Sequence, residues 1–231
     1  MSKENNKAMT IDIFVETVLS EASKLQRIGK GVNKCCFKLP GNEEWVILAS
    51  SKKNLIQNEL NQLRLIESRC HSIPSQTCSD VFKSIVPQTS SDVFNFIIDN
   101  QPCSAFVEQF IKGFDMPHNY ATSEEDVRTF HNKITDDILS TQPLENAKVK
   151  QKTVTACLAR IFEYLQEYDI PDLQLRYETA TGKVFVIDPG GANSGNYHAK
   201  HKQWISKIME FTSESEMKRM WNYKNKKEKW L

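Results

Sequence analysis

The sequence predicts an α+β fold with a β-rich N-terminal part and a helical C-terminal part. Three observations carry this. Short runs rich in Val, Ile and Phe, punctuated by glycine and proline turns, fill residues 25–111. After Lys112-Gly113 apolar residues recur at helical spacing. A β-hairpin pattern, Ile170 to Gly191, follows the longest of those helical stripes. With 231 residues, one domain or two small lobes is the expectation, and the length suffices to bury a core.

Taken in order, residues 1–9 are polar and predict a disordered tail. Ile11–Leu25 places Ile13, Phe14, Val18, Leu19 and Leu25 at the spacing of a short helix. Leu25–Leu39 reads as two short strands around the pair Gly29 and Gly31. Pro40-Gly41-Asn42 is a turn, and Trp45–Ala49 (WVILA) has the character of a buried strand. Ile56, Leu60, Leu63 and Ile66 make Asn54–Arg69 an amphipathic helix. Ser72–Ser91 is rich in Ser, Thr, Pro and Gln, with Val81–Val86 a possible pairing strand. Val93–Ile98 and Ser104–Ile111 are strands joined by a turn at Asp99–Pro102. Ser123, followed by Glu124, Glu125 and Asp126, starts a helix by placing carboxylates at its positive end, and Gln142-Pro143 breaks it. Val154, Leu158, Ile161 and Leu165 stripe a core helix over Val149–Tyr168. A glycine-rich loop (Gly190–Gly195) and one or two helices between Lys200 and Lys224 complete the chain.

Composition excludes several classes. Thirty basic residues against 29 acidic give a net charge of +1, which argues against a nucleic-acid-binding polycation. The six cysteines form no CxxC pair and read as reduced thiols of a cytosolic environment; no His/Cys cluster has zinc-ligand spacing. The N-terminus lacks the apolar region of a cleavable signal peptide, and no apolar run approaches the roughly 20 residues that span a bilayer.

The hairpin is the most informative segment. Asp172 precedes its first strand, Thr179–Gly182 forms its turn, and Asp188 ends its second strand, so both carboxylates stand at one end and can face one ligand. A surface hairpin flanked by two turn aspartates has the same local pattern. Phosphoryl transfer uses such an arrangement, one Asp orienting the attacking hydroxyl and another holding Mg²⁺ on the phosphates. Ile28–Phe37 (IGKGVNKCCF) adds two glycines around a lysine, a spacing that lets backbone approach phosphates and that plain hairpin turns share. The five histidines make no base-plus-nucleophile pattern.

Ile28–Phe37, Gln57–Leu60 and Ile170–Pro189, with the order of elements over Leu25–Gly191, resemble the protein-kinase fold in a stripped-down form. They are most similar to the minimal bacterial effector kinases of the HopBF type, where an Asp-Leu-Gln segment and a later Asp-Pro replace the usual HRD and DFG motifs. The resemblance implies a minimal bilobal protein-kinase-like fold, with residues 10–111 as N-lobe and 112–231 as a reduced C-lobe. It implies ATP and Mg²⁺ as cofactors and transfer of phosphate to Ser or Thr of a protein.

By that resemblance Gly29 and Gly31 form the glycine-rich loop, with Lys34 in place of its third glycine. The strand that carries the kinase lysine reads Val46-Ile47-Leu48-Ala49, so Lys34 is assigned to the phosphates, with Lys30 and Lys38 as rivals. Glu59 is assigned as partner of that lysine. Val107–Ile111 is the hinge, with Glu108 and Phe110 holding adenine through main-chain groups. Asp172 is the catalytic aspartate and Asp188 the metal ligand. Tyr177 replaces the asparagine that takes a second metal, leaving Gln174 or Asn193 to supply an oxygen. No APE-like motif follows. Ser194 and Tyr197 are candidate autophosphorylation sites.

The resemblance further implies a monomeric effector secreted into a host cytosol, acting on a host protein, with a heat-shock chaperone as a conceivable target. Met217–Leu231, basic with interleaved Trp and Met, is either a docking tail for anionic lipid or polyphosphate, or a last helix packed through Trp221. Two other classes stay open: a kinase-fold binding module without catalysis, and a related enzyme that transfers AMP.

Overall fold

The computed structural model describes residues 11–31, 33–72, 84–98, 100–116, 123–170, 173–189, 198–213, 215 and 217–219. The expectations for residues 1–9, Asp172, Gly190–Gly195, Asn193, Ser194, Tyr197 and the tail from residue 220 fall outside them. The fold is α+β. The chain forms two compact units, Met1–Asn61 with Pro87–Phe110 and Gln62–Val86 with Ile111–Leu231.

The first unit holds an antiparallel five-stranded sheet of β1 (Gln26–Lys30), β2 (Cys35–Lys38), β3 (Trp45–Ser50), β4 (Phe94–Ile98) and β5 (Gln101–Gln109), in the order β1-β2-β3-β5-β4. Helix α1 (Ile11–Ser20) covers one face. Its Phe14 and Val18, one turn apart, are fully buried against Phe37, Trp45, Ile47, Phe96 and Val107. Each such side chain contributes about 1.5–3 kcal/mol by leaving water. The helix is shorter than the Ile11–Leu25 expectation, and a 3₁₀ turn at Ala22–Lys24 follows it. Near its end the Thr17 and Ser20 hydroxyls donate to the carbonyls of Ile13 and Thr17, local bonding that competes with helix continuation. Ile13 and Leu19, apolar residues of the same helical spacing, are 46% and 49% exposed.

The β4–β5 turn is tighter than expected. Ile98 pairs with Gln101, leaving a two-residue loop in which Asn100 takes φ 60, a left-handed conformation that Asn tolerates. Pro102 therefore lies inside β5, beyond the reach of β3, whose last pair is Ser50 with Ser104.

In the second unit, β6 (Gly113–Asp115), β7 (Gln174–Glu178) and β8 (Val184–Ile187) form an antiparallel sheet. Strand β6 was not foreseen, because three residues carry no readable alternation. It approaches β7 so closely that a Cβ on Gly113 would collide with the Tyr177 carbonyl. Of the strand expected at Val81–Val86, the described residues 84–86 form none. The Ser84 hydroxyl bonds locally to Val86, and Ile85 instead accepts a main-chain bond from Val186 in β8.

Helices α3 (Glu124–Ser140), α4 (Leu144–Glu167) and α5 (His198–Phe211) pack on one another. A capping box starts α3, where Ser123 and Asp126 satisfy each other's orphan groups. Val154, Leu158, Ile161 and Leu165 of α4 are all buried, as their stripe predicts. Helix α2 (Lys53–Ser72) buries Ile56, Leu60, Leu63 and Ile66. Its final turn is capped from α4, where buried Arg160 donates to the Cys70 carbonyl and to Glu163. Cys35, Cys70 and Cys103 are free thiols, and burial pushes Cys70 up to about 11, leaving it a poor nucleophile.

Candidate functional site

Strand pairing decides which side chains share a face in the first unit. Residues directly opposite in an antiparallel ladder point the same way. Gly29 pairs with Cys36, Cys36 with Leu48, and Leu48 with Phe106. This row lies on the face opposite to the one covered by α1. By alternation, Lys34 (two residues before Cys36) and Glu108 (two after Phe106) belong to that same second face. Gly29, Lys34 and Glu108, far apart in sequence, are thereby collected on one surface.

On this face Lys34 Nζ meets Glu59 Oε1 of α2 at 2.6 Å, with the lysine 17% exposed and the glutamate 3%. The rival lysines are placed differently. Lys38 pairs with Glu43 at 2.8 Å and lies over the Phe110 ring, while Lys30 is exposed at the end of β1. The hairpin between β1 and β2 is tied down behind its tip. Ser50 Oγ donates to the Asn33 carbonyl at 2.6 Å, and Lys52 Nζ donates to Asn33 Oδ1 at 3.2 Å. Nothing in the sequence marked Asn33, Ser50 or Lys52, because their link spans two strands.

The two glycines are not required by the fold. A Cβ on Gly29 would meet Cys36 Cβ at 3.5 Å, and one on Gly31 would meet the Lys34 carbonyl at 3.6 Å, ordinary van der Waals contacts. Gly31 spends its N–H closing the turn on Lys34 O at 2.8 Å. What it offers a ligand is close access to backbone, rather than that amide.

The end of β5 is also committed in part. Gln109 N–H donates to Gln88 O and Phe110 N–H to Glu44 O, and Glu108 is buried in the ladder opposite Val46. An adenine recognised here would have to use carbonyls, or the residues just beyond.

In the second unit, Gln174 pairs with Ile187, so Asp188 emerges beside the residue that opens β7. Asp188 is half-buried and has φ 46. A left-handed non-glycine residue is uncommon, costs about 1–3 kcal/mol, and concentrates at functional positions. Asp188 carries a carboxylate and Gln174 an amide oxygen, the donor types Mg²⁺ takes, at the same end of the hairpin. Tyr177 is not part of that set. It is fully buried, and its hydroxyl donates to Asp137 Oδ2 at 2.7 Å; burial first, then this carboxylate, pushes its pKa up.

Comparison with known proteins adds little. No family model and no curated protein matches the sequence. Solved structures that match include the GDP and kanamycin complex of APH(2")-IIia, 12% identical over 86% of this chain and 82% of that one, with a TM-score of 0.36. At that distance no residue role is carried across.

Proposed function

We propose that this protein is an ATP-dependent phosphotransferase of a minimal protein-kinase-like kind, transferring the γ-phosphoryl group to a Ser or Thr hydroxyl of another protein. The observation that carries the reading is the Lys34–Glu59 pair: a cation held at 2.6 Å by an almost wholly buried carboxylate, beside a glycine hairpin whose own packing does not need glycine. A lysine so held is a fixed positive charge for phosphates rather than a mobile surface one.

In this reading Lys34 binds phosphate oxygens, Glu59 fixes the lysine's position, and Gly29 and Gly31 let the triphosphate lie close to backbone. Main-chain carbonyls near Glu108 and Phe110 hold adenine. Asp188 and Gln174 hold Mg²⁺, which when bound neutralises phosphate charge. Asp172 accepts a hydrogen bond from the substrate hydroxyl, aligning its oxygen with the γ-phosphorus, and takes its proton as the new O–P bond forms and the bond from the γ-phosphorus to the β–γ bridging oxygen breaks, ADP leaving. The biological part of the reading is a bacterial effector delivered into a host cell, with a host protein, a heat-shock chaperone among the candidates, as substrate.

One observation favours a second reading, a binding module with little or no catalysis. The position expected to hold a metal-binding asparagine is the inward-turned Tyr177, so that ligand is missing.

The test is Mg²⁺-ATP labelling of a eukaryotic cell lysate by wild type and by Asp188→Ala. Label with wild type alone supports phosphoryl transfer and provides a substrate band. ATP-dependent stabilisation without label supports the binding module, and intact mass separates phosphate from AMP.

A further inference from the structure

A cleft of about 680 Å³ in the second unit lies between the first turns of α4 and the β7–β8 turn. Lys183 is about five strand residues from Asp188, roughly 16 Å along the strand, so this cleft is separate from the Asp188 end of the hairpin. Among the described residues two lysines, Lys150 and Lys183, and no carboxylate line it.

The fold sets the backbone next to Lys183 against Lys150. Gly182 has φ +79, and a Cβ there would come within 2.9 Å of the Lys150 carbonyl, so the turn presses its backbone onto α4 beside Lys150. Lys150 is compensated by Asp137 Oδ2 at 2.9 Å and is 14% exposed, which leaves further N–H donors on its ammonium group. Lys183 is half-buried and enters no ion pair among the described residues. Two ammonium groups lining one cleft, with a single carboxylate behind one of them, are a recognition pattern for an anion.

Asn146 and Thr181 also line the cleft, donating to Gln142 O and to Glu178, and three further hydroxyls are of opposite chemistry to the lysines. Thr141 Oγ1 donates to Asp137 O at 2.7 Å, Thr153 Oγ1 to Val149 O at 2.9 Å, and Thr179 Oγ1 to Lys112 O at 3.4 Å. Their protons are committed inward, so towards the cleft these oxygens present lone pairs and accept. A bare anion satisfies only the lysines, and a neutral polyol only the threonines.

We infer that this cleft is a second ligand site, for a small phosphorylated polyol whose phosphate is held by Lys183 and Lys150 and whose hydroxyls donate to Thr141 and Thr153. The volume falls in the range of small-molecule pockets, and the polar lining selects a polar ligand.

Calorimetric titration of the whole chain with glucose 6-phosphate, glucose and inorganic phosphate tests this. Glucose 6-phosphate should bind at least about tenfold more tightly than either fragment, a gain of about 1.4 kcal/mol. Lys183→Gln should weaken it about tenfold. Thr153→Val, of equal shape, should weaken glucose 6-phosphate but not phosphate. The double variant Lys34→Met with Glu59→Leu, which strands no buried charge, should leave it unchanged, which separates this site from any nucleotide-binding role of Lys34. No binding of glucose 6-phosphate at millimolar concentration overturns the inference. So does binding that survives Lys183→Gln or disappears in that folded double variant, and so does phosphate alone binding as tightly as the sugar phosphate.

Discussion

Replacing both members of the Lys34–Glu59 pair with apolar residues separates a catalytic pair from a structural one. At 2.6 Å the attraction is about 6 kcal/mol for an effective dielectric near 20, most of it offset by the desolvation of both groups. Lys34→Met alone removes the cation from a carboxylate that is 3% exposed, which should cost about 3–5 kcal/mol. Against a domain stability of about 5–15 kcal/mol, that loss approaches unfolding, so inactivity of the single variant says little. Adding Glu59→Leu removes the stranded charge, and urea denaturation should return to within about 1 kcal/mol of wild type, since apolar replacement of a buried pair is often neutral. Transfer of labelled phosphate from ATP should nevertheless stay depressed by about 10²–10³-fold, the cost of losing one preorganised charge contact. A double variant as stable as wild type that transfers phosphate at the wild-type rate would show the pair to be scaffold and refute the reasoning.

Three further expectations follow from the geometry. Asp188→Gly suits the left-handed backbone (φ 46) while deleting the carboxylate, so thermal stability should hold or rise slightly as phosphoryl transfer falls at least about a hundredfold; unchanged transfer would remove Asp188 from the site. Gly29→Ala and Gly31→Ala meet only ordinary contacts in the fold, so each should shift stability by less than about 0.5 kcal/mol yet weaken ATP binding about tenfold; equal affinity would make them plain turn glycines. Burial lowers the His131 pKa from its ordinary 6.5, so the unfolded chain takes up a proton that the folded chain refuses. Stability should therefore fall as pH drops below about 6.5, with a shallower fall in His131→Gln, measured by denaturation midpoints.

Much of this was legible where a short sequence window contains the physics. The α2 and α4 stripes place every predicted apolar residue in the core, because helical periodicity is a local pattern. The hairpin at β7–β8 was equally plain, since its glycine turn and the two apolar runs that flank it lie within a few residues of one another. Lys34 and Glu59 were singled out through a resemblance, and neither residue's neighbours announce a bond across 25 positions. What stayed hidden depends on partners distant in sequence: β6, whose glycine answers to Tyr177; Asn33, gripped from β3 and the residues after it; and the turning of Tyr177 towards Asp137. Ile13 and Leu19 show the converse, apolar residues at the right spacing on a helix that buries only a narrow strip.

The helix that precedes the glycine hairpin sets a limit on how far this chain can be trimmed. The segment that resembles a kinase begins at Leu25, yet Phe14 and Val18 roof the sheet face made by Phe37, Trp45, Ile47, Phe96 and Val107. A protein expressed from Leu25 onward would present that face to solvent as a broad sticky surface flanked by β4, which among the described residues pairs with β5 alone, conditions that favour association between copies over monomeric folding. The smallest piece of this chain able to stay in solution is therefore larger than the segment that carries the resemblance.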